Sequence, residues 1–302
     1  MPGFTSKVYL PAIVAVFFWS TVASAFKITL RYLNPAQMLF YSIFFSLLAL
    51  SFILIAQKKL LELKKSSFND VRNSIILSFL NPFLYYLILF KAYSLLPAQQ
   101  AQPLNFTWGI VIALLSIPLL KQKVKMKIIA AVFVSFFGVV IIATDGDLLS
   151  MHFTQPLGVA LAVGSSLIWS LYWIFNAKDG RDAVIKLFLN FCFGFLFIAL
   201  FVSFRGDFIF PQFKGLLGTI YIGFFEMGFT FFLWLTALER AAAAANISIL
   251  IYLSPFLSFL FINLFVGEDI RLSSFIGLLF IIGGIIWQQS GNLFRRKKLE
   301  KS

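Results

Sequence analysis

The chain has 302 residues, of which 60% are hydrophobic and only 12% are charged, and 40 are phenylalanine. A soluble domain is about a quarter charged, whereas apolar stretches of about 20 residues, long enough to cross a bilayer, fill most of this sequence. The composition therefore predicts an all-α polytopic membrane protein without a soluble domain. Its net charge of +13 lies in short tracts between apolar segments, which disfavours nucleic acid as a partner.

Cysteine and histidine are both nearly absent from the sequence. Cys192 is the only cysteine and His152 is the only histidine. Disulfide frameworks, zinc sites and histidine proton relays each need several such side chains brought together. We therefore expect no metal and no cofactor.

Ten apolar helices are predicted along the chain. In order, they span about residues 8–26, 35–56, 74–93, 98–119, 127–144, 156–176, 184–203, 215–237, 243–265 and 274–291. The breaks hold helix-stopping or charged residues, such as Asn34-Pro35, the basic run from Lys58 to Arg72, and Gly267-Glu268. Helices are required because lipid offers no partner to unsatisfied backbone groups.

The basic residues predict the orientation of these spans. If the N-terminus is cytoplasmic, 19 of the 25 Lys and Arg residues fall on the cytoplasmic side, including the basic tail at 295–301. Cytoplasmic loops carry such an excess in membrane proteins. We therefore predict that both termini are cytoplasmic and that the protein lies in the cell membrane, with its tail on anionic lipid.

The two halves of the chain repeat each other weakly. A shift of 150 residues puts Trp19-Ser20 on Trp169-Ser170, and a shift of 145 puts Gly138 on Gly283. Residues 1–150 and 151–302 are therefore predicted to be two repeats of five spans each. Because five is an odd number, the repeats must insert in opposite senses, which is the arrangement that secondary transporters use for alternating access.

The pattern resembles the drug/metabolite transporter superfamily, in particular its ten-helix group built of two EamA domains. The residues that carry this resemblance are Trp19-Ser20, Pro35, Ala237-Leu238, the small-residue run from Ala241 to Ala245, Pro255 and Gly267-Glu268. The resemblance implies a secondary transporter, in most members an exporter of small metabolites, with a central cavity that opens alternately to each side.

The fourth predicted helix carries a narrower likeness. Its stretch QPLNFTWGIVIALLS is similar to a motif of aromatic amino acid exporters, which Leu104, Asn105 and Trp108 match. Phe106 and Gly109 stand where that motif has tyrosine and proline. The resemblance therefore favours an amino acid as the substrate.

Glu226 is the strongest candidate for a functional residue. Of the twelve Asp and Glu residues, only Glu226 lies near the centre of a predicted span. A charged acid at mid-membrane costs about 2.5–3.5 kcal/mol, so it should face a cavity, pair, or carry a proton. At the 145-residue shift Glu226 falls on Asn81 and Thr230 falls on Tyr85, which predicts two matched polar pairs at equal depth. The alternative is that Glu226 only fixes helix packing.

Other polar and aromatic residues share predicted helix faces and are further candidates for substrate binding. They are Ser20, Ser24 and Lys27 in the first helix, Asn105 and Trp108 in the fourth, Ser166, Ser170 and Trp173 in the sixth, and Trp234 in the eighth. Lys27 could bind a substrate carboxylate, but a lysine that snorkels to the interface explains it at least as well. Trp108 fits a ligand site or a lipid-facing position equally well.

These features favour a secondary-active or facilitative transporter that exports amino acids or related small metabolites. A multidrug exporter of lipophilic cations is the alternative, and a non-transporting receptor is a weaker one. The short loops lack the clustered acids and histidines that a membrane enzyme needs. No G-x-x-x-x-G-K-[ST] motif occurs, which leaves ion coupling with protons, exchange or facilitated diffusion.

Overall fold

The computed structural model describes residues 6–63, 65–121, 126–149, 155–240 and 249–299, and no strand occurs among them. The helices are α1 Ser6–Thr29, α2 Pro35–Ala56, the short α3 Leu60–Leu63, α4 Phe68–Ser78, α5 Tyr85–Leu95, α6 Ala98–Asn105, α7 Trp108–Leu119, α8 Met126–Ala143, α9 Pro156–Asn176, α10 Ala183–Arg205, α11 Phe213–Tyr221, α12 Phe229–Arg240, α13 Ser254–Phe261 and α14 Leu272–Leu299. Three π-helical segments join some of them: π1 Phe79–Leu84, π2 Ile222–Gly228 and π3 Ile262–Val266. A short 3-10 segment, Ile249–Leu253, precedes α13.

The described part of the chain contains eight helices long and apolar enough to cross a membrane. Two shorter apolar helices, Leu250–Val266 and Leu272–Gln288, coincide with the ninth and tenth predicted spans. The apolar part of each is slightly shorter than the roughly 20 residues of a full span, and α14 itself continues to Leu299. Residues 243–248 of the ninth predicted span, and the run from Ala241 to Ala245, lie outside the described residues. The count of ten and the orientation of the termini therefore stay predictions.

Local capping decides where several helices begin. The Asn34 side chain accepts hydrogen bonds from the backbone N–H groups of Ala36 and Gln37, and Pro35 occupies the first helical turn of α2. Ser67 caps α4 in the same way together with Asp70, so the third membrane helix begins at Phe68. Its predicted start at residue 74 is therefore wrong, because this capping pair continues the helix into the polar stretch.

The segment π1 interrupts the third membrane helix of the first half. Asn81 has extended backbone angles there, with φ −146° and ψ 122°, and Pro82 follows it. The spacing of Asn81 and Tyr85 predicts that their side chains share one face of a regular helix. They do not follow regular helical spacing here, because a residue with extended angles changes the direction of the side chains on either side of it.

The two halves, residues 1–150 and 151–302, pack through contacts that come in matched pairs. Helix α1 of the first half packs on α12 and α13 of the second half. Its predicted repeat counterpart, α9 of the second half, packs on α5, α6 and α7 of the first half. Likewise α2 contacts π2, α10 contacts π1, and α2 and α10 contact each other. The last helices of the halves, α8 and α14, form a pair of their own. Each half therefore lies against the other in an equivalent way.

Glycines allow the closest approaches between halves. A Cβ atom on Gly138 of α8 would lie 2.5 Å from the backbone oxygen of Gly277 in α14, and one on Gly277 would lie 2.8 Å from the oxygen of Gly138. Small residues at such crossings let membrane helices pack backbone to backbone. The α8–α14 pair is held by this contact.

Candidate functional site

A cavity of about 80 Å³ lies between the two halves. Helices α1, α5, α6, α7, α9 and α12, with π2 and the start of α13, contribute to its wall. The lining residues are Trp19, Val22, Phe26, Tyr85, Leu89, Tyr93, Gln102, Asn105, Phe106, Trp108, Trp169, Glu226, Phe231, Ile251 and Ser254. Of the residues predicted from the sequence, the cavity brings together Glu226, Tyr85, Asn105 and Trp108.

Glu226 carries the only carboxyl group among the lining residues. Its side chain lies on π2 and is 7% exposed. The hydroxyl of Tyr86, from the other half, donates a hydrogen bond of 3.0 Å to Oε1. The second oxygen, Oε2, is buried and makes no hydrogen bond of good geometry with any described residue, and the side chain of Trp19, which also lines the cavity, is the other polar neighbour of the carboxyl group. Oε2 can therefore accept a donor from a ligand in the cavity.

Two glycines bring π2 close to α2. A Cβ atom on Gly223 would lie 2.6 Å from the backbone oxygen of Ser42 and 2.9 Å from the nitrogen of Ser46. One on Gly228 would lie 2.8 Å from the Cβ of Ala49. Larger residues would push π2 away from α2. The position and orientation of the Glu226 side chain in the cavity wall therefore depend on these small residues.

Aromatic rings form much of the cavity wall. The ring centroids of Tyr85 and Trp169 are 4.5 Å apart, those of Trp169 and Phe231 are 5.9 Å apart, and those of Phe231 and Trp19 are 5.7 Å apart. These separations are typical of favourable aromatic pairs. Because π faces attract cations, the wall and the Glu226 carboxyl suit the same kind of ligand group.

Trp173 and Trp234 are predicted site residues that support the wall from behind. Trp234 packs against Trp19 with ring centroids 5.3 Å apart, and Trp173 stacks on Phe231 at 6.5 Å. Neither is among the residues that line the cavity. Each therefore supports a ring of the wall, Trp19 or Phe231, without lining the cavity itself.

Asn105 takes part in a hydrogen-bond chain across the cavity wall. The Tyr85 hydroxyl donates to its Oδ1 at 3.3 Å, and its Nδ2 donates to the Ser165 hydroxyl at 2.9 Å. Both ends of the amide are therefore occupied by the protein. This chain holds α6 against α5 and α9.

The predicted serines and Thr230 bond mainly to backbone. Ser170 donates to the Ser166 carbonyl at 2.7 Å, and Ser20 donates to the carbonyl four residues before it at 2.6 Å. The hydroxyl of Thr230 donates to the Phe225 carbonyl within its own helix. Ser24 is buried and its hydroxyl has no partner among the described residues. None of the five lines the cavity, so their roles in binding stay predictions.

Lys27 bonds to the end of a neighbouring helix. Its Nζ donates to the carbonyls of Tyr93 and Leu96, at 2.8 and 2.5 Å. These carbonyls belong to the C-terminal end of α5, where unpaired acceptors and the negative end of the helix dipole favour a cation. Two of its three donors are therefore used in joining α1 to α5.

Asn81 does not line the cavity. The segment π1 packs against α9 and α10. The amide of Asn81 is buried and lies beside the hydroxyl of Tyr172 on α9, although neither of its polar atoms makes a hydrogen bond of good geometry with a described residue. The two residues matched by the repeat, Asn81 and Glu226, thus have different surroundings.

The halves are also tied at both ends of the bundle. At one end Lys59 pairs with Asp182 at 2.6 Å, and the Arg181 guanidinium donates to the Ser74 hydroxyl of the first half at 3.0 Å. Within its own half, Arg181 is bonded to Asp179 at 2.5 Å and holds the pKa of that carboxyl below its usual range. At the other end the carboxylate of Glu268 accepts the backbone N–H groups at the start of α6, at 2.9 and 3.2 Å. The cavity lies between these two sets of contacts.

Four important residues around the cavity were not predicted as site residues: Trp19, Trp169, Tyr86 and Gln102. A signal for the two tryptophans was present, because the repeat superposes Trp19 on Trp169. Both line the cavity, whereas the serines beside them do not. For Tyr86 and Gln102 the sequence held no comparable signal.

Comparison with known proteins identifies the chain's relatives. The sequence model of the EamA-like transporter family matches residues 6–144 and 156–288. The chain is 25% identical over 285 residues to an uncharacterized transporter of Archaeoglobus fulgidus, covering 93% of this chain and 96% of that protein. It is 28% identical over 182 residues to an uncharacterized transporter of Clostridium kluyveri, where the match spans 58% of each protein.

A solved crystal structure has the same fold. It superposes with a TM-score of 0.66 at 19% identity and covers 96% of this chain and 98% of its own. Together with the apolar helices, the family match makes this a multi-pass protein of the plasma membrane and a membrane transporter. The chain belongs to the EamA-like transporter family.

Proposed function

We propose that this transporter exports small metabolites that carry an amino group, in the first place amino acids, through the cavity at Glu226. The observation that carries the proposal is the buried Glu226 carboxyl in the cavity wall, whose Oε2 makes no hydrogen bond of good geometry with any described residue. A buried carboxylate is unfavourable unless a cation or a proton compensates it. An ammonium group supplies both the charge and the N–H donors.

The other lining residues support an ammonium ligand. The rings of Trp19, Trp169 and Phe231 surround the cavity and can stabilise a cation through their π faces. Tyr86 holds Oε1 and leaves Oε2 for the ligand. A proton on Glu226 would exchange with the arriving ammonium group, which would couple export to protons.

Alternating access is supported by the packing of the halves. The matched contacts of α1 and α9, and of α2 and α10, are those expected of two repeats related by a two-fold axis. In this scheme the substrate lies in the cavity between the halves, and the contacts at the two ends of the bundle open in turn. We propose ten spans in two inverted repeats, with both termini cytoplasmic.

Export of lipophilic cations is the second candidate function. The specific observation in its favour is that no Lys or Arg is among the lining residues of the cavity. A substrate carboxylate would therefore have no cationic partner there. A cation with apolar groups would satisfy Glu226 and the aromatic wall without needing one.

Uptake into proteoliposomes tests the proposal. The purified protein is given a panel of labelled amino acids and one lipophilic cation, tetraphenylphosphonium, with and without a pH gradient. We expect saturable uptake of amino acids with apolar side chains. Uptake of tetraphenylphosphonium alone would favour the second candidate, and no uptake of any compound would contradict both.

A further inference from the structure

We infer that the cavity recognises a zwitterion: Glu226 receives the ammonium group, and the Gln102 amide with the Ser254 hydroxyl receives the carboxylate. This inference rests on the proposed function and specifies its substrate class as α-amino acids rather than simple amines. All three residues line the same cavity. They come from three different elements, π2, α6 and α13.

The orientation of Gln102 is fixed by a neighbour on α13. The Gln102 side chain is 4% exposed, and its Oε1 accepts a hydrogen bond from the hydroxyl of Ser258. Because the oxygen of the amide is held in this way, the NH₂ end is the part that can bond to a ligand. An NH₂ group is a donor only, so it selects an acceptor such as a carboxylate oxygen.

Ser254 supplies a second donor without an assigned partner. The side chain is 1% exposed, lines the cavity, and its Oγ forms no hydrogen bond with any described residue. Buried hydroxyls are normally hydrogen-bonded, so an unpaired one in a cavity wall indicates a ligand or water. Ser254 lies one helical turn before Ser258, which is the residue that orients Gln102.

The other amide of the wall, Asn105, is already bonded to the protein. The Asn105 amide is occupied at both ends by Tyr85 and Ser165. Two neutral donors can hold an anion without adding a buried cation to the apo protein. They also discriminate, because an amine without a carboxylate leaves both donors unpaired, and such sites reject analogues that lack the bonding group.

The test compares labelled phenylalanine with labelled phenethylamine, which differs only in lacking the carboxylate. Both compounds are offered to the wild-type protein in proteoliposomes. We expect about tenfold faster uptake of phenylalanine, on the scale of hydrogen bonds to a charged group. Equal uptake, or a preference for the amine, would overturn the inference while leaving an amine transporter at Glu226 intact. Uptake of neither compound would contradict the proposed function as well.

Two variants locate the effect. Ser254→Ala and Gln102→Met are expected to reduce phenylalanine uptake severalfold and not to reduce phenethylamine uptake, because they remove the donors that phenethylamine leaves unpaired. Ser274→Ala is the matched control, because the Ser274 hydroxyl is also buried and without a described partner but lies outside the cavity. If Ser254→Ala and Ser274→Ala behave alike, or if both compounds are slowed equally, the inference is wrong. Melting temperatures of all variants identify any loss that comes from unfolding.

Discussion

The two π-helical segments π1 and π2 occupy equivalent places in the two halves but differ in chemistry. In π2, Glu226 faces the central cavity and bonds to Tyr86 of the other half. In π1, Asn81 has extended backbone angles and a buried, uncharged amide beside the Tyr172 hydroxyl. Backbone irregularities of this kind are frequent at functional sites. The two segments therefore have similar places in the helix packing, whereas the charged group of the site, Glu226, comes from the second half alone.

Removing the charge of π2 should have the largest effect. We expect Glu226→Gln to slow phenylalanine uptake about 100-fold, since truncating one partner of a buried charge pair costs a few kcal/mol. Initial rates in proteoliposomes measure this. Glu62→Gln, at an exposed acid, is the control and should keep wild-type rates. Normal uptake rates in Glu226→Gln would contradict the proposed role of the charge on π2.

Glycines allow π1 and π2 to pack closely against neighbouring helices. Replacing these glycines with leucine should therefore destabilise the protein. In Gly223→Leu the new side chain meets the α2 backbone, and in Gly194→Leu it meets Pro82 of π1, where a Cβ would lie 2.5 Å from Cγ. Overpacking of this kind costs about 1–3 kcal/mol, or roughly 5 °C in melting temperature. Gly283→Leu is the control, because nothing lies within 4 Å of that position. Thermal unfolding in detergent that gave equal midpoints for all three variants would refute the close fit.

Much of this fold could be predicted, because long apolar stretches and their breaks decide where membrane helices lie. Glu226 could be predicted for the same reason, as a carboxylate in mid-membrane needs a cavity or partner. Thr230 and Trp173 were assigned to the site on regular helical spacing, and the structure puts neither in the cavity wall. For Thr230, the π2 segment alters the spacing from Glu226, and no residue pattern predicts that segment. Trp173 lies on the uninterrupted helix α9, and its ring stacks on Phe231 of the wall.

Removing the Tyr86 hydroxyl should impair transport less than removing the charge of Glu226, the carboxyl group to which it donates. Tyr86→Phe removes the 3.0 Å bond to Oε1, and we expect the half-saturation concentration for phenylalanine to rise severalfold. Tyr32→Phe, at a half-buried tyrosine outside the cavity, is the control. An unchanged half-saturation concentration in Tyr86→Phe would mean that the Tyr86 hydroxyl does not contribute to substrate binding at Glu226.

Asn81 should show the smallest effect. Asn81→Ala removes an uncharged amide that lies outside the cavity, beside the Tyr172 hydroxyl. We expect uptake rates within about twofold of wild type, as for substitutions away from functional features. A loss similar to that of Glu226→Gln would show instead that both halves contribute polar groups to transport, as the sequence repeat predicts.

The central claim is that the substrate contacts the Glu226 carboxyl directly, and protection from chemical labelling tests it most directly. Dicyclohexylcarbodiimide, which modifies carboxyl groups in apolar surroundings, is applied with and without saturating phenylalanine, and mass spectrometry quantifies the modified Glu226. We predict that phenylalanine protects Glu226 and leaves labelling of the exposed Glu62 unchanged. Labelling of Glu226 that is the same with and without a transported substrate would contradict the account.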